Sequence, residues 1–218
     1  MRGVWTIQNP IQAGLFTRAD QEQNAREIWG YFQAKGWTLH AVCGMLGNME
    51  AESYINPGQW QLGGIIEDPN PQNVEGFGLV QWTPWQKYVD SSNWFGDWQA
   101  GPNWRTDYIK QLDRIQYEVD FDAANPNQGQ WIAGYDSTFG YVSYPLYTQL
   151  TYDPLYDEWF VKRLTEIFFT SYERGTWSSI RGDYAWVWYQ YLSGVGPTPP
   201  HGRLPIWLLF KLREANFS

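Results

Sequence analysis

The stretch Gly47-Asn48-Met49-Glu50-Ala51-Glu52-Ser53-Tyr54-Ile55-Asn56-Pro57 decides how this chain is read. It closes a run in which Leu39, Val42, Cys43, Leu46 and Met49 recur at intervals of three and four. That spacing lays them along one face of a helix. Thr38 is a suitable N-cap, because its hydroxyl can accept from a backbone N–H of the first turn. Asn56-Pro57-Gly58 ends the helix, since proline lacks the N–H and clashes with the preceding turn. Within nine residues, Asn48 to Asn56, the helix end presents two carboxylates, a hydroxyl and two amides.

Glu50 and Glu52 compete for a catalytic role. A helical wheel sets Glu50 on the apolar stripe, four residues after Leu46, where burial would favour the protonated carboxyl. It sets Glu52 on the flank. Periodicity alone therefore favours Glu50, but a wheel is least reliable where a helix stops. Ser53 either orients the acid or caps the helix end, and Asn56 suits the turn that follows.

A second dense stretch, Gly76-Phe77-Gly78-Leu79-Val80-Gln81-Trp82, lies about twenty residues on. Gly76 and Gly78 allow a tight turn or a close backbone approach to a ligand. Gln81 offers both a donor and an acceptor to a hydroxyl or N-acetyl group. Phe77 and Trp82 offer flat apolar faces that suit sugar rings. The competing reading is a glycine hairpin with Trp82 in the core.

Composition narrows the function classes. The 218 residues suit one large domain better than two. A formal charge of -8 disfavours nucleic acid as partner, because phosphate binding needs clustered Lys and Arg. The single cysteine, Cys43, falls on the apolar helix stripe and reads as a buried thiol. With only His40 and His201, a metal site or a Ser-His-Asp triad lacks parts, so no metal and no cofactor are expected. Met1-Arg2-Gly3 leads into polar sequence, which gives no sign of a signal peptide. Ile206-Trp207-Leu208-Leu209-Phe210 is too short to be a transmembrane segment. The 15 Trp, 15 Tyr and 11 Phe exceed what a core of this size usually encloses, and about a third of them are expected at a binding surface.

Along the chain, residues 1–20 read as an N-terminal arm. Helices are expected over about 21–35, from Leu39 onward, from Thr83-Pro84 to about 91, over 105–119, from Asp153-Pro154 to Gly175, and over 179–192. Residues 58–80 read as a small β-hairpin or irregular loop sheet. Residues 121–152 carry no lasting period and read as a long insertion, a candidate cleft lid. Residues 194–218 read as a C-terminal tail. The sum is a mainly α domain (α+β).

The two dense stretches resemble motifs of the phage tail-type lysozymes, found in the tail-knob and tail-tip proteins of small tailed phages. Gln111-Leu112-Asp113-Arg114-Ile115-Gln116-Tyr117-Glu118 resembles that family's third motif, and Phe169-Thr170-Ser171-Tyr172-Glu173-Arg174 its fourth. The likeness runs from about residue 25 to 193 in the family's order. It extends to goose-type lysozymes and lytic transglycosylases, which share Glu-Ser-x-x-Asn and a later Gly-Leu-x-Gln.

The resemblance implies a lysozyme-like fold with a cleft between two lobes and cleavage of bacterial peptidoglycan. It implies a place in the virion tail beside other phage tail proteins. It singles out Glu52, the Glu of Glu-Ser, as the catalytic acid over Glu50.

Cleavage of a glycosidic bond needs an acid to protonate the leaving oxygen, and burial can keep a carboxyl protonated for that work. A second carboxylate could come from Glu67, Asp68 or Glu75 on the intervening loop, or from Asp90. Glu173-Arg174 reads better as a structural ion pair than as part of a site. Three alternatives stay open: a lytic transglycosylase, a lysis enzyme acting from inside the cell, and an inactive tail protein that binds wall glycan without cutting it.

Overall fold

The computed structural model describes residues 16–61, 76–105, 107–151 and 157–194. Helix α2, Leu39–Ser53, is the axis on which the other elements are laid. Thr38 caps it, its Oγ1 accepting from Ala41 N at 3.2 Å. The apolar stripe expected on one face turns out to be burial on nearly all sides: every residue from Ala41 to Met49 is buried. Small residues make this possible. A Cβ at Gly47 would lie 2.3 Å from Arg181 O, and one at Gly44 would lie 2.8 Å from Tyr147 Oη. The polar Asn48 is accommodated because its amide donates to Gly44 O and Thr165 O, each at 3.0 Å.

Around α2 lie α1 (Arg18–Gln33), α6 (Asp157–Phe168) and α7 (Ile180–Ser193). Helix α1 starts three residues before the expected position, inside the supposed arm. The cause is a capping box in which Thr17 and Asp20 satisfy each other's backbone N–H groups. Helix α6 runs on into a π-helical turn, Phe169–Glu173, and stops at Arg174 in the left-handed region, φ 57°. The short α3 (Gln86–Val89), α4 (Ile109–Ala124) and α5 (Tyr144–Gln149) complete the helical set among the described residues.

Three expectations need correction. Thr83-Pro84 does not open a helix: the peptide bond is cis, Thr83 Oγ1 donates to Gln81 O, and α3 begins at Gln86. Among the described residues of 58–80 there is no sheet, and 62–75 lie outside them. There the described residues form only the isolated bridges Trp60 to Phe77 and Phe77 to Trp82. The sheet is a two-stranded hairpin, β1 (Gly134–Asp136) and β2 (Gly140–Val142), inside the stretch that showed no period. That stretch is also no loose insertion, because Trp131, Tyr144 and Tyr147 are wholly buried. Strands of three residues are too short to leave a readable alternation.

Aromatic residues fill much of the core. Trp60, Phe77, Tyr88 and Trp104 meet edge to face or tilted, and Trp85 stacks on Trp104 at 5.1 Å between centroids. A second group joins Trp37, Trp131, Tyr144, Tyr147, Phe168 and Tyr172. Among the described residues, no helix is long and apolar enough to cross a membrane, and no cluster of His, Cys, Asp and Glu could hold a metal.

Candidate active site

The last turn of α2 and the segment 76–82 are fastened to each other. Tyr54 and Ile55 both adopt positive φ, 56° and 58°, which turns the chain sharply after Ser53. Asn56 Oδ1 then accepts from Gly58 N at 3.0 Å, the turn role expected of it. Ser53 does more than finish the helix. Its Oγ is 2.9 Å from Met49 O and 2.9 Å from Leu79 O, linking the first stretch to the second. Gln111 from α4 clamps the same junction: its Oε1 accepts from Leu79 N at 2.8 Å and its Nε2 donates to Pro57 O at 2.6 Å. Gly78 serves this clamp. A Cβ there would lie 2.5 Å from Gln111 Oε1, and its φ of +83° suits glycine.

A cavity of about 320 Å³ opens where these segments meet the π-helical turn. Glu52, Gln81, Trp82, Lys87, Glu173 and Arg174 stand on its wall. Glu52 is about a quarter exposed, and its Oε1 accepts from Arg181 Nη2 at 2.5 Å. The Arg181 guanidinium lies 4.8 Å over the Phe169 ring and reaches Asn48 Oδ1 at 3.4 Å, which fixes its direction. Gln81 spends its amide nitrogen on Gln59 O and Gly78 O, at 3.1 and 2.9 Å. Its Oε1 is buried and has no partner among the described residues.

The two aromatic rings play a different part from the one expected. Phe77 is wholly buried among Trp60, Tyr88 and Trp104, and offers no face to a sugar. Trp82 is 3% exposed and stacked on Tyr88, so little of it is open to the cavity it lines. Its Nε1 lies 3.4 Å from Glu118 Oε1. Glu118 is itself wholly enclosed, accepting from Arg114 Nε at 2.8 Å and Tyr172 Oη at 2.5 Å. This buried network holds Trp82 and Tyr172, two wall residues, from behind.

Glu50 is nearly buried, as the wheel indicated, but against another surface. Its Oε2 accepts from Trp188 Nε1 at 2.7 Å and its Oε1 pairs with Arg18 at 3.3 Å. Burial pushes its carboxyl above the usual range, with the Arg18 charge and the Trp188 bond opposing. Glu50 is absent from the cavity wall. Glu67, Asp68 and Glu75 lie outside the described residues. Asp90 accepts from Ser92 N at 2.9 Å and closes a turn away from the cavity. His40 pairs with Asp157 at 2.9 Å, and burial pushes the enclosed Cys43 thiol well up.

The sequence reading assigned Glu173 to a structural ion pair with Arg174. It forms no ion pair with Arg174. The π-helical turn carries it to the cavity, where its Oε1 is buried and has no partner among the described residues. Burial, then the Glu52 charge, hold the Glu173 carboxyl well above the usual range, and Arg181 opposes them. Across the cavity, burial and then Arg174 lower the Lys87 ammonium from its ordinary value. The position of Glu173 in the fourth motif was the available signal; a wheel for an unbroken α-helix could not place it.

The sequence profile of the phage tail lysozymes matches residues 23–192, which includes every described segment that builds the cavity. The chain belongs to the phage tail lysozyme family. A relative in this group, Morphogenesis protein 1 of Bacillus phage B103, is 38% identical over 178 residues. That alignment covers 80% of this chain and 40% of the relative, so the chain spans less than half of that protein's length. Within this member of the phage tail lysozyme family, Ser53 and Gln111 tie the first two motifs together.

Proposed function

We propose that this chain cleaves the glycan strand of peptidoglycan, with Glu52 as the general acid, as part of a virion tail during genome delivery. One observation carries the reading: Glu52 and Gln81 line the same cavity, although they come from different segments. Glu52 gives its proton to the leaving glycosidic oxygen of a glycan seated there as the C1–O bond opens. Arg181, already in contact with Glu52 Oε1, then stabilises the carboxylate left behind. The family and the phage relative support the setting.

The test is release of soluble muropeptides from purified sacculi by the parent protein and Glu52→Gln. The parent should solubilise the wall and the folded variant should not. Mass spectrometry of the product ends separates hydrolysis, which leaves a reducing sugar, from transglycosylation, which leaves an anhydro sugar. Equal release by the two proteins would remove Glu52 from the mechanism. Binding to sacculi without release would leave a glycan-binding tail protein. Detection of the chain in purified virions tests the tail assignment.

A further inference from the structure

Among the described residues, two carboxyl groups line this cavity, and only Glu52 has a cation in contact. Glu52 takes the one hydrogen bond that Arg181 offers to a carboxylate here. Glu173, on the same wall, keeps a buried oxygen with no donor among the described residues. The residue as a whole is half-buried, but that oxygen has neither solvent nor a donor, so ionising the carboxyl there is disfavoured. A protonated carboxyl is far cheaper there.

We propose that Glu173 is the second catalytic carboxyl of the site and forms with Glu52 a pair that holds a single proton between them. The inference rests on the glycan-cleavage reading above and adds the source of the proton. Two like charges in one enclosed site cannot both be ionised cheaply, so such pairs lose their protons in two separated steps. Arg181 contacts Glu52 and not Glu173, so the proton is held at the Glu173 end and reaches the glycosidic oxygen through Glu52.

The surroundings agree from every side that faces Glu173. Glu52 at the end of α2, Glu118 from α4 and Tyr144 at the head of α5 act on it, and Arg181 at the head of α7 opposes the two carboxylates. Lys87 of α3 and the adjacent Arg174 share the cavity wall and make no ion pair with it among the described residues. When glycan fills the cavity, the pair delivers its proton to the glycosidic oxygen as the C1–O bond breaks. Water then adds its hydroxyl to C1 and returns its proton to the pair, which ends as it began.

Infrared difference spectroscopy and sacculus turnover test this together. The parent should show a protonated carboxyl band at neutral pH that Glu173→Gln removes. In Glu52→Gln that band should vanish at a lower pH, because the neighbouring charge is gone. Glu173→Gln should bind sacculi like the parent, lose at least tenfold in turnover, and show its alkaline limb at lower pH. A missing band, or a Glu173→Gln variant with parental rate and pH profile, overturns the proposal. If the bands behave as expected but the parent releases no muropeptides, the one-proton pair stands and the glycan-cleavage reading falls.

Discussion

Arg181 joins the cavity wall to the helix packing: its Nη2 is 2.5 Å from Glu52 Oε1, while its backbone oxygen would be 2.3 Å from a Cβ at Gly47. One residue at the head of α7 therefore fixes both the Glu52 carboxyl and the approach of α7 to α2. Replacing its side chain separates the two roles. Arg181→Met keeps the backbone and most of the stem over Phe169 but removes the charge. Turnover of sacculi is expected to fall by about 10²-fold, the size seen when one stabilising group is taken from a transition-state site. Binding of sacculi and the fold should survive. A rate within twofold of the parent would count against Arg181 as the partner of Glu52.

Gly47→Ala probes the other role. The added methyl meets Arg181 O, Ala185 Cβ at 2.7 Å and Ala185 N at 2.9 Å, and two of these three are backbone atoms that cannot rotate away. Overpacking of this kind costs about 3 kcal/mol. Thermal denaturation should show the midpoint falling by roughly 6–12 °C for a chain of this size. An unchanged midpoint would mean that α7 can slide without loss.

Glu118 supports the cavity wall from inside the core. Arg114 Nη1 and Nη2 have no hydrogen-bond partner among the described residues and lie against the Phe95, Trp98 and Tyr117 rings, so Glu118 is the anion on which that guanidinium depends. Glu118→Ala should destabilise by about 3–5 kcal/mol by leaving the buried cation uncompensated. Tyr172→Phe, which removes only the hydroxyl at 2.5 Å from Glu118 Oε2, should cost about 1–2 kcal/mol. Urea unfolding of both variants checks the order. Equal losses would show that the tyrosine hydroxyl, not the ion pair, holds the network.

Glu173 makes a prediction of opposite sign. Burial raises its carboxyl above the ordinary value in the folded chain. The unfolded chain releases that proton near pH 4.3, at about the ordinary glutamate value. Above that pH the folded state binds more protons, so the glutamate costs stability increasingly as pH rises toward its folded value. Glu173→Gln should therefore be the more stable protein at pH 7, with a melting midpoint a few degrees higher, about 2–4 °C per kcal/mol. The advantage should disappear below about pH 4. A variant less stable than the parent at neutral pH would show that the carboxyl is ionised and held by a partner.

Much of the helical frame could be read from local chemistry. Thr38 as a cap, the three-four spacing after it and the proline stop placed α2 without any partner in view. The glycine, glutamine and serine positions of the two dense stretches carried the family resemblance that put Glu52 forward. The hairpin at 134–142 and the burial of Trp131, Tyr144 and Tyr147 were not legible, because short strands leave no period and an aromatic residue reads alike in a core or on a sugar-binding wall.

Sequence alone determined that α2 forms and where it stops, since caps, periodicity and turn residues act over a few positions; Glu52 was put forward by the family resemblance, whereas periodicity favoured Glu50. Tertiary structure alone decided that Glu50 faces Trp188 instead of the cavity, that Phe77 is core, and that Glu173 joins Glu52. The reason is physical. Charge, desolvation and hydrogen bonding depend on which distant segments share a space, and that follows from the approach of α7 to Gly47 and from the extra residue in the π-helical turn.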